Sequence, residues 1–395
     1  MKKNTSIFSC SSPLPPGEGL EVKHPYLIDS TLRDGEQAPG VVFGLNEKIT
    51  IASMLDKIGI EELEIGSPFI SEHDLIMAQK LVSYKFSFRC SCWSRAKIED
   101  IDAAAKTGAT GINISYPVSD IQLLSMGKDR QWVLGSMPEI VSYAKKQFQY
   151  VSLGAQDASR ADKKFLHSYL NIAKKLGVYR VRIADTVGCL NPLTTRSLIK
   201  GVVSKVKDSN LQIEFHGHND LGMATANSIS AIQAGADCVS TTVNGLGERA
   251  GNAALEEVIM AMKISMGIQV PYSTEHLNEL CTFTAEASER KLPADKPIVG
   301  EMTHRHESGI HTNCMLRDRR AYEPFDAREV GKSGSSFVFG IHSGSNALNS
   351  LLEKNSINLD KQKLQELLKK VKTTAVCKRR SLTDAEVLLL SNSYR

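Results

Sequence analysis

Two kinds of hydrophobic segment alternate along the chain between Tyr26 and about Met266. Short runs rich in β-branched and aromatic residues predict strands. Between them, apolar residues recur at the spacing of one helix face, as in Asn46–Ile58 and Asp162–Leu176. The first of these helices opens on the capping residue Asn46, and each helix is followed by a glycine. The eight predicted strands are Tyr26–Asp29, Ile60–Gly66, Lys85–Trp93, Gly111–Tyr116, Tyr150–Gly154, Arg180–Thr186, Gln212–His218 and Cys238–Asn244.

The spacing of these strands indicates the fold. They recur at intervals of roughly 25–40 residues, which is the length of one β/α unit. The pattern therefore predicts an α/β fold of the (β/α)8 TIM-barrel type. A doubly wound open sheet is the alternative, but no G-x-G-x-x-G follows the first predicted strand.

The alternation stops after about Met266. Ser273–Arg290 predicts a helix, and a later helical segment carries an apolar stripe at positions i, i+3, i+4 and i+7. Such a stripe indicates a packing face. The stripe consists of Leu364, Leu367, Leu368 and Val371.

The two ends of the chain differ from its centre. Ser9–Glu21 is rich in Ser, Pro and Gly, which indicates a flexible segment or an artefact of the start site. We therefore predict a flexible tail at 1–24 and a catalytic barrel at 25–270. A C-terminal lid with a small, mostly helical subdomain is predicted at 271–395.

Composition narrows the class of protein. With 42% apolar and 23% charged residues among 395, a packed globular fold is expected. No apolar run approaches the roughly 18 residues that cross a bilayer, so we expect no membrane association. A net charge of +4 is too small to indicate a nucleic-acid partner but suits an anionic substrate. The eight cysteines are scattered without a C-x-x-C pair, which favours a reducing compartment and predicts a cytoplasmic protein.

The sharpest chemical feature lies at the end of the seventh predicted strand, in the segment EFHGHND. Side chains alternate along a strand, so Glu214, His216 and His218 share one face. That face would line the barrel mouth, where barrel enzymes keep their sites. Two imidazoles at this spacing can chelate one divalent metal, with Glu214 supporting them. The alternative is that both histidines form hydrogen bonds to backbone groups and bind no metal.

Two further segments end neighbouring strands. Asp34, after the first strand, could give the same metal a carboxylate oxygen, and Arg33 could pair with a substrate carboxylate. Taken alone, this pair would indicate a surface turn. The glycine-rich segment NGLGERAGN follows the eighth strand, and its Asn252 could complete the coordination sphere. A phosphate cradle is the weaker interpretation, because the P-loop lysine is missing.

A histidine-rich segment, HRHESGIH, lies in the C-terminal part and is followed by Tyr322. Histidine beside Glu and Tyr can shuttle a proton near neutral pH. Because His306 and His311 lie outside the barrel, a lid or a partner subunit would have to carry them over the mouth. The alternative is a polar loop without a catalytic role.

Together these motifs resemble the homocitrate synthase and 2-isopropylmalate synthase family, particularly its short, nitrogen-fixation-type homocitrate synthases. The matching segments are LRDGEQ, ADTVG, FHGHNDLGMATAN, NGLGERAGN and HESGIH. The segments SYPVSD, QDASRAD and GIHSG favour the nitrogen-fixation branch, and the residues left after the barrel are too few for a long leucine-sensing domain.

The resemblance implies a TIM-barrel acyltransferase that condenses acetyl-CoA with a 2-oxo acid, 2-oxoglutarate in the preferred interpretation. It also implies a homodimer in which the lid of one subunit covers the barrel of the other. The cofactor would be a divalent cation, namely Mg, Mn, Zn or Fe. The implied metal ligands are Asp34, His216, His218 and Asn252. The implied substrate-binding residues are Arg33, Gln37, Arg160, Thr186 and Glu214. The implied proton-handling residues are His311 and Tyr322, with His306 as the competing choice.

Two departures leave the 2-oxo acid open. The segment Cys90–Arg95 after the third strand lacks the histidine found in lysine-pathway homocitrate synthases, and Gln122 replaces an arginine. Lys128 or Arg95 could compensate. Isopropylmalate, citramalate and unusual citrate synthases are the close alternatives. An acyl-CoA lyase is disfavoured because the loop GLGERAGN lacks a reactive cysteine. A catalytically inactive binding barrel is disfavoured by the complete set of ligand candidates.

Overall fold

The computed structural model describes residues 25–394. The predicted flexible tail at 1–24 lies outside the described residues. The chain divides into two compact units, one ending at Leu292 and the other beginning at Pro293.

Eight parallel strands close into a barrel in chain order, which confirms the predicted (β/α)8 fold. The predicted third strand starts too early, because Lys85 has a left-handed backbone with φ of 53° and belongs to a turn. The strands are β1 (Tyr26–Asp29), β2 (Glu62–Glu64), β3 (Arg89–Arg95), β4 (Gly111–Pro117), β5 (Tyr150–Gln156), β6 (Arg180–Asp185), β7 (Gln212–Gly217) and β8 (Cys238–Thr241).

Strand register brings the carboxyl ends of β1, β7 and β8 together. Cys238 of β8 pairs with Tyr26 of β1 on one side and with Glu214 of β7 on the other. Strand β8 thus separates β1 from β7 by one position around the ring. The loops that carry the predicted metal ligands therefore start at neighbouring places on the rim.

Helices follow each strand and pack outside the barrel. Helix α1 begins one residue earlier than predicted, with Gly44 rather than Asn46 as its cap, because the Glu47 carboxylate accepts a 2.5 Å hydrogen bond from the Gly44 N–H. Helix α6 is capped by Asp162, whose side chain accepts from the Phe165 N–H. The helices of this unit are α1 (Leu45–Ile58), α2 (Glu72–Ser83), α3 (Ile98–Ala105), α4 (Asp120–Ser125), α5 (Arg130–Ala144), α6 (Lys163–Lys175), α7 (Pro192–Val206), α8 (Ala224–Gln233), α9 (Leu255–Met260) and α10 (Leu277–Ala287).

Ion pairs fill much of the barrel interior. Arg180 is fully buried and contacts Glu62 at 2.7 Å and Glu214 at 2.8 Å. Arg182 contacts Glu64 at 3.0 Å and shares Glu214 with Arg180. Removing any one of these groups would leave a buried charge without its partner, which is strongly destabilising.

The amino-terminal end of the barrel is filled by Arg89 and three tyrosines. The Arg89 guanidinium carbon lies 5.6, 5.1 and 5.4 Å from the ring centroids of Tyr26, Tyr150 and Tyr179. Nη2 of Arg89 lies 3.4 Å from Oε2 of Glu62. Cation–π contacts and the ion pair together hold this cluster in place.

The second unit is mostly helical, with one short two-stranded sheet. The predicted stripe lies in the helix of residues Lys361–Lys378, and Leu364, Leu367, Leu368 and Val371 pack in its hydrophobic core. The elements are α11 (Gly309–Met315), α12 (Ser345–Lys354), α13 (Lys361–Lys378), α14 (Asp384–Ser391), β9 (Arg305–His306) and β10 (Ser336–Phe337). In the described part of the chain, no helix combines the length and the apolar character that a membrane span requires.

Candidate active site

Three ligand atoms converge at the rim between β1 and β7. Oδ2 of Asp34 lies 3.5 Å from Nε2 of His216 and 3.9 Å from Nε2 of His218. The two imidazole nitrogens are 3.3 Å apart. All three residues are buried, and among residues 25–394 no other group of three His, Cys, Asp or Glu side chains converges in this way.

Local backbone geometry explains this convergence. The N–H groups of Asp34 and Gly35 both donate to the carbonyl of Ser30, so the chain turns tightly after β1 and directs Asp34 toward the rim. His216 lies in β7, and His218 follows the strand end, where it forms a bridge with Asn252. The alternation of strand side chains brings both imidazoles to the same face.

The protonation states of these residues suit a cation. Burial raises the pKa of Asp34, but the Arg33 charge and the two histidines outweigh it and hold this pKa at about 2. Burial lowers the pKa of His216 and of His218, although the Asp34 charge opposes this. The site therefore presents one carboxylate and two neutral imidazoles, which are the protonation states that bind metal.

Buried oxygen atoms without partners also fit a cation. Oδ2 of Asp34 and Oδ1 of Asn252 are buried and accept no hydrogen bond from any described residue. The Asn252 amide nitrogen donates to the Leu246 carbonyl at 3.1 Å, which fixes the orientation of its side chain. A buried polar atom without a partner is costly, and a cation bound by Asp34, His216 and His218 would remove part of that cost.

Arg33 is fixed beside the three converging atoms. Its Nη1 donates to Asp34 at 2.9 Å, and its Nε donates to Glu64 at 2.6 Å. Among residues 25–394, none accepts a hydrogen bond from its Nη2, which leaves one donor for a ligand. The Trp93 ring lies 6.0 Å from the guanidinium carbon.

The sequence analysis missed Glu64 as the residue that orients Arg33. Glu64 is fully buried in β2 and also accepts from Ser30 at 2.8 Å and from Arg182. Burial raises the pKa of Glu64, but the charges of Arg182 and Arg33 outweigh this effect and hold the pKa below its ordinary range. Glu62 and Glu64 both lie in the short strand β2, and carboxylates within a barrel strand were the available signal, but the sequence does not give their partners.

Glu214 lies in the interior ion pairs and not among the converging ligand atoms. Its two oxygens contact Arg180 and Arg182, and Ser240 also donates to it. Within the described residues, no contact joins it directly to Asp34 or the histidines. Its link to the site runs through Arg182 and Glu64 to Arg33.

Arg160 and Thr186, two of the predicted substrate contacts, are both bound to Asp157, a residue that the sequence did not indicate. Asp157 forms an ion pair with Arg160 at 2.7 Å, and its N–H donates to Oγ1 of Thr186 at 2.8 Å. Asp157 has a left-handed backbone with φ of 60°. The third predicted contact, Gln37, is exposed at the end of the 3₁₀ turn Gly35–Gln37.

The predicted proton-handling residues belong to the second unit. The rings of His311 and Tyr322 stack with centroids 4.0 Å apart at an interplanar angle of 22°. His306 instead contacts Glu323 through Nε2 at 3.2 Å. The two histidines that are alternative candidates for the base therefore contact consecutive residues, His311 with Tyr322 and His306 with Glu323.

The residues proposed to compensate for the missing histidine and arginine already have partners. Arg95 makes a two-fold contact with Asp100, with distances of 2.7 and 2.9 Å, and its guanidinium carbon lies 4.3 Å from the Phe69 ring centroid. Lys128 lies over the Trp132 ring at 5.1 Å. Arg95 would have to give up its contact with Asp100 to bind a substrate carboxylate, whereas the contact with Trp132 leaves the N–H groups of Lys128 able to donate.

Comparison with known proteins matches two segments of the chain to known families. Residues 24–283 match the family described as HMGL-like, and residues 298–379 match the homocitrate synthase post-HMGL domain-like family. The chain is 43% identical to 2-isopropylmalate synthase 2 of Caldanaerobacter subterraneus, over 92% of this chain and 94% of that protein. It is also 43% identical to homocitrate synthase 1 of Nostoc sp., over 93% of this chain and 97% of that protein.

Solved structures support the fold. The HMG-CoA lyase from "Acenitobacter baumannii", in complex with coenzyme A and 3-methylmalate, superimposes with a TM-score of 0.61. The match covers 70% of this chain and 94% of that chain at 19% sequence identity. At this identity the likeness shows a shared barrel and nothing about substrates.

Proposed function

Since the chain belongs to the HMGL-like family, we propose that it condenses acetyl-CoA with a 2-oxo acid. The preferred acid is 2-oxoglutarate, with homocitrate and coenzyme A as the products after hydrolysis. The observation that carries this proposal is the convergence of Asp34 Oδ2 with Nε2 of His216 and His218, beside the fixed guanidinium of Arg33. The relatives that share most of the chain's length are synthases.

In this proposal Asp34, His216 and His218 hold a divalent cation, with Asn252 as a further ligand. A mixed oxygen and nitrogen set accepts Mg, Mn, Zn or Fe. When bound, the cation acts as a Lewis acid on the keto oxygen of the 2-oxo acid.

Arg33 orients the acid and stabilises negative charge. Its Nη2 donates to the oxygen that becomes negative as the new carbon–carbon bond forms. Glu64 and Asp34 already hold the other two donors, so little reorganisation is needed during the reaction. Thr186, Arg160 and Gln37 would contact the rest of the acid and keep it in an attacking geometry.

His311 is the base that we assign to the methyl group of acetyl-CoA. Tyr322 stacks on its ring and limits its motion. An imidazole can accept a proton near neutral pH. We propose that a second copy of the chain supplies this pair, as a homodimer in the cytoplasm.

A second candidate is the same chemistry on another acid, such as 2-oxoisovalerate or pyruvate. Arg95 is already paired with Asp100, so this arginine could bind a second substrate carboxylate only by leaving Asp100. The identity to a 2-isopropylmalate synthase points the same way.

The test is release of free thiol from acetyl-CoA with a panel of 2-oxo acids and added divalent metals. We expect metal-dependent release and the highest kcat/KM with 2-oxoglutarate. A higher kcat/KM with 2-oxoisovalerate or pyruvate would support the second candidate. Absence of thiol release with every acid and metal would overturn the condensation itself.

A further inference from the structure

The loops after β6, β7 and β8 interlock above the candidate metal site. The loop after β8 joins the loop after β7 by backbone bonds, with the Asn219 N–H donating to the Gly251 carbonyl at 2.9 Å. Next to this bond, His218 bridges Asn252. The two candidate ligands, one from each loop, are therefore held in register by backbone contacts.

The loop after β6 packs directly against the loop after β7. Gly188 has φ of +60°, and a Cβ at this position would lie 2.6 Å from Asp220 Oδ2 and 2.9 Å from the carbonyl oxygen of His218. Only glycine permits such an approach.

Arg249 joins all three loops through one side chain. From the loop after β8, its Nε and Nη2 donate to the Asp220 carboxylate at 2.8 and 3.0 Å. Its Nη2 also donates to the Thr186 carbonyl, after β6, at 2.7 Å. No other described side chain makes hydrogen bonds to both of these loops from the third. The planar guanidinium fork suits this double contact, and a lysine would not reproduce it.

We infer that Arg249 is a positioning residue, which clamps the loops so that His218, Asn252 and Thr186 hold a fixed geometry toward the bound cation and the 2-oxo acid. This inference rests on the proposed function. Arg249 itself supplies no ligand atom. Its effect passes through Asp220, two residues after His218, and through its own loop, which ends in Asn252.

Electrostatics and positioning predict opposite results when Arg249 loses its charge. A positive charge near a cation opposes its binding, so replacing Arg249 by a neutral residue would tighten metal binding if charge alone mattered. If the clamp matters, the same change weakens metal binding, because the ligand atoms lose their fixed arrangement. The sign of the change in affinity therefore separates the two mechanisms.

The experiment measures Mn²⁺ binding to the full-length metal-free protein, by calorimetry or by the EPR signal of the free ion. We expect Arg249→Met and Arg249→Lys each to weaken Mn²⁺ affinity by about 10-fold or more. Arg249→Lys keeps the charge, so an equal loss there also points to geometry. The thermal midpoint of the metal-free protein should change little, since the pair is partly exposed.

Arg130 offers a matched control. It makes the same two-fold contact, with Asp120, and its side chain is 42% exposed against 43% for Arg249. Arg130→Met should leave Mn²⁺ affinity unchanged. Unchanged or tighter Mn²⁺ binding by Arg249→Met would overturn the clamp while leaving the condensation proposal intact. A wild-type protein that binds no divalent metal would overturn both.

Discussion

Two buried aspartates only five positions apart show how neighbours set a side chain's chemistry. Asp34 keeps a pKa of about 2, because Arg33 and the histidines outweigh the effect of burial. For Asp29, burial raises the pKa to about 7, and hydrogen bonds from Thr31 oppose this only partly. One carboxylate is ready to bind a cation, and the other is protonated through much of the acidic range.

Replacing Asp34 by alanine should abolish metal binding and retain the fold. The two imidazoles that remain would bind a divalent cation weakly, so turnover should fall by at least about 100-fold. Metal content after dialysis and thiol release measure the two effects, and circular dichroism checks the fold. Asp29→Asn is the matched control, since it alters a buried carboxylate outside the ligand set. Full activity in Asp34→Ala would contradict the site assignment.

Asp29 should make the metal-free protein less stable as the pH rises from about 4 to about 7. A carboxylate whose folded pKa is raised stabilises the fold fully below its unfolded pKa, and this contribution is lost as the pH passes the folded pKa. Asp29→Asn removes this ionisation. We therefore expect the variant to gain stability relative to wild type at about pH 8.5 compared with about pH 5.

Urea unfolding of both proteins in EDTA measures this difference. From the shift of the Asp29 pKa, the relative gain is on the order of a few kcal/mol. Equal differences between variant and wild type at the two pH values would show that Asp29 ionises normally in the folded protein.

At the scale of elements, the sequence pattern predicted all eight strands and failed mainly at their ends. Periodicity finds β7, which carries His216 and ends directly before His218, but it cannot show that only β8 separates β7 from β1. Asp34 could be associated with the histidines only by assuming a closed ring. Glu64 and Asp157 were missed, since their partners Arg182 and Thr186 are distant in sequence.

Gly188→Ala should destabilise the protein more than Gly127→Ala. Both glycines have a left-handed backbone, with φ of 60° and 63°, so alanine costs about 1–2 kcal/mol of conformational energy at either position. At Gly127 a Cβ meets nothing within 4 Å, whereas at Gly188 it would meet the His218 carbonyl and Asp220. Chemical denaturation of the metal-free variants measures the difference. Equal destabilisation would show that the loop after β6 moves away at little cost.

At the scale of the whole molecule, the chain consists of a barrel with the candidate ligands and a helical unit with His311 and Tyr322. The sequence pattern predicted a barrel and a separate C-terminal part, because the alternation of strands and helices stops before the histidine-rich segment begins. The proposal that the two sets of residues act together across subunits makes a direct prediction.

A mixture of Asp34→Ala and His311→Ala subunits, unfolded and refolded together, should regain activity that neither variant has alone. In a mixed dimer, one barrel keeps Asp34 and receives an intact His311 from the other subunit. Random pairing should give about a quarter of wild-type thiol release. The separately refolded variants, combined afterwards, are the control. If joint refolding restores nothing, the two residues act within one subunit or His311 is not the base.

The amino-terminal end of the barrel is closed by Arg89, which lies among Tyr26, Tyr150 and Tyr179. Under the proposed condensation, both reactants would enter and both products would leave through the opposite, carboxyl-terminal end of the barrel. A 2-oxo acid bound deeper than acetyl-CoA would then have to bind first. This arrangement predicts a compulsory order of substrate binding, which the product-inhibition patterns of the steady-state kinetics would reveal.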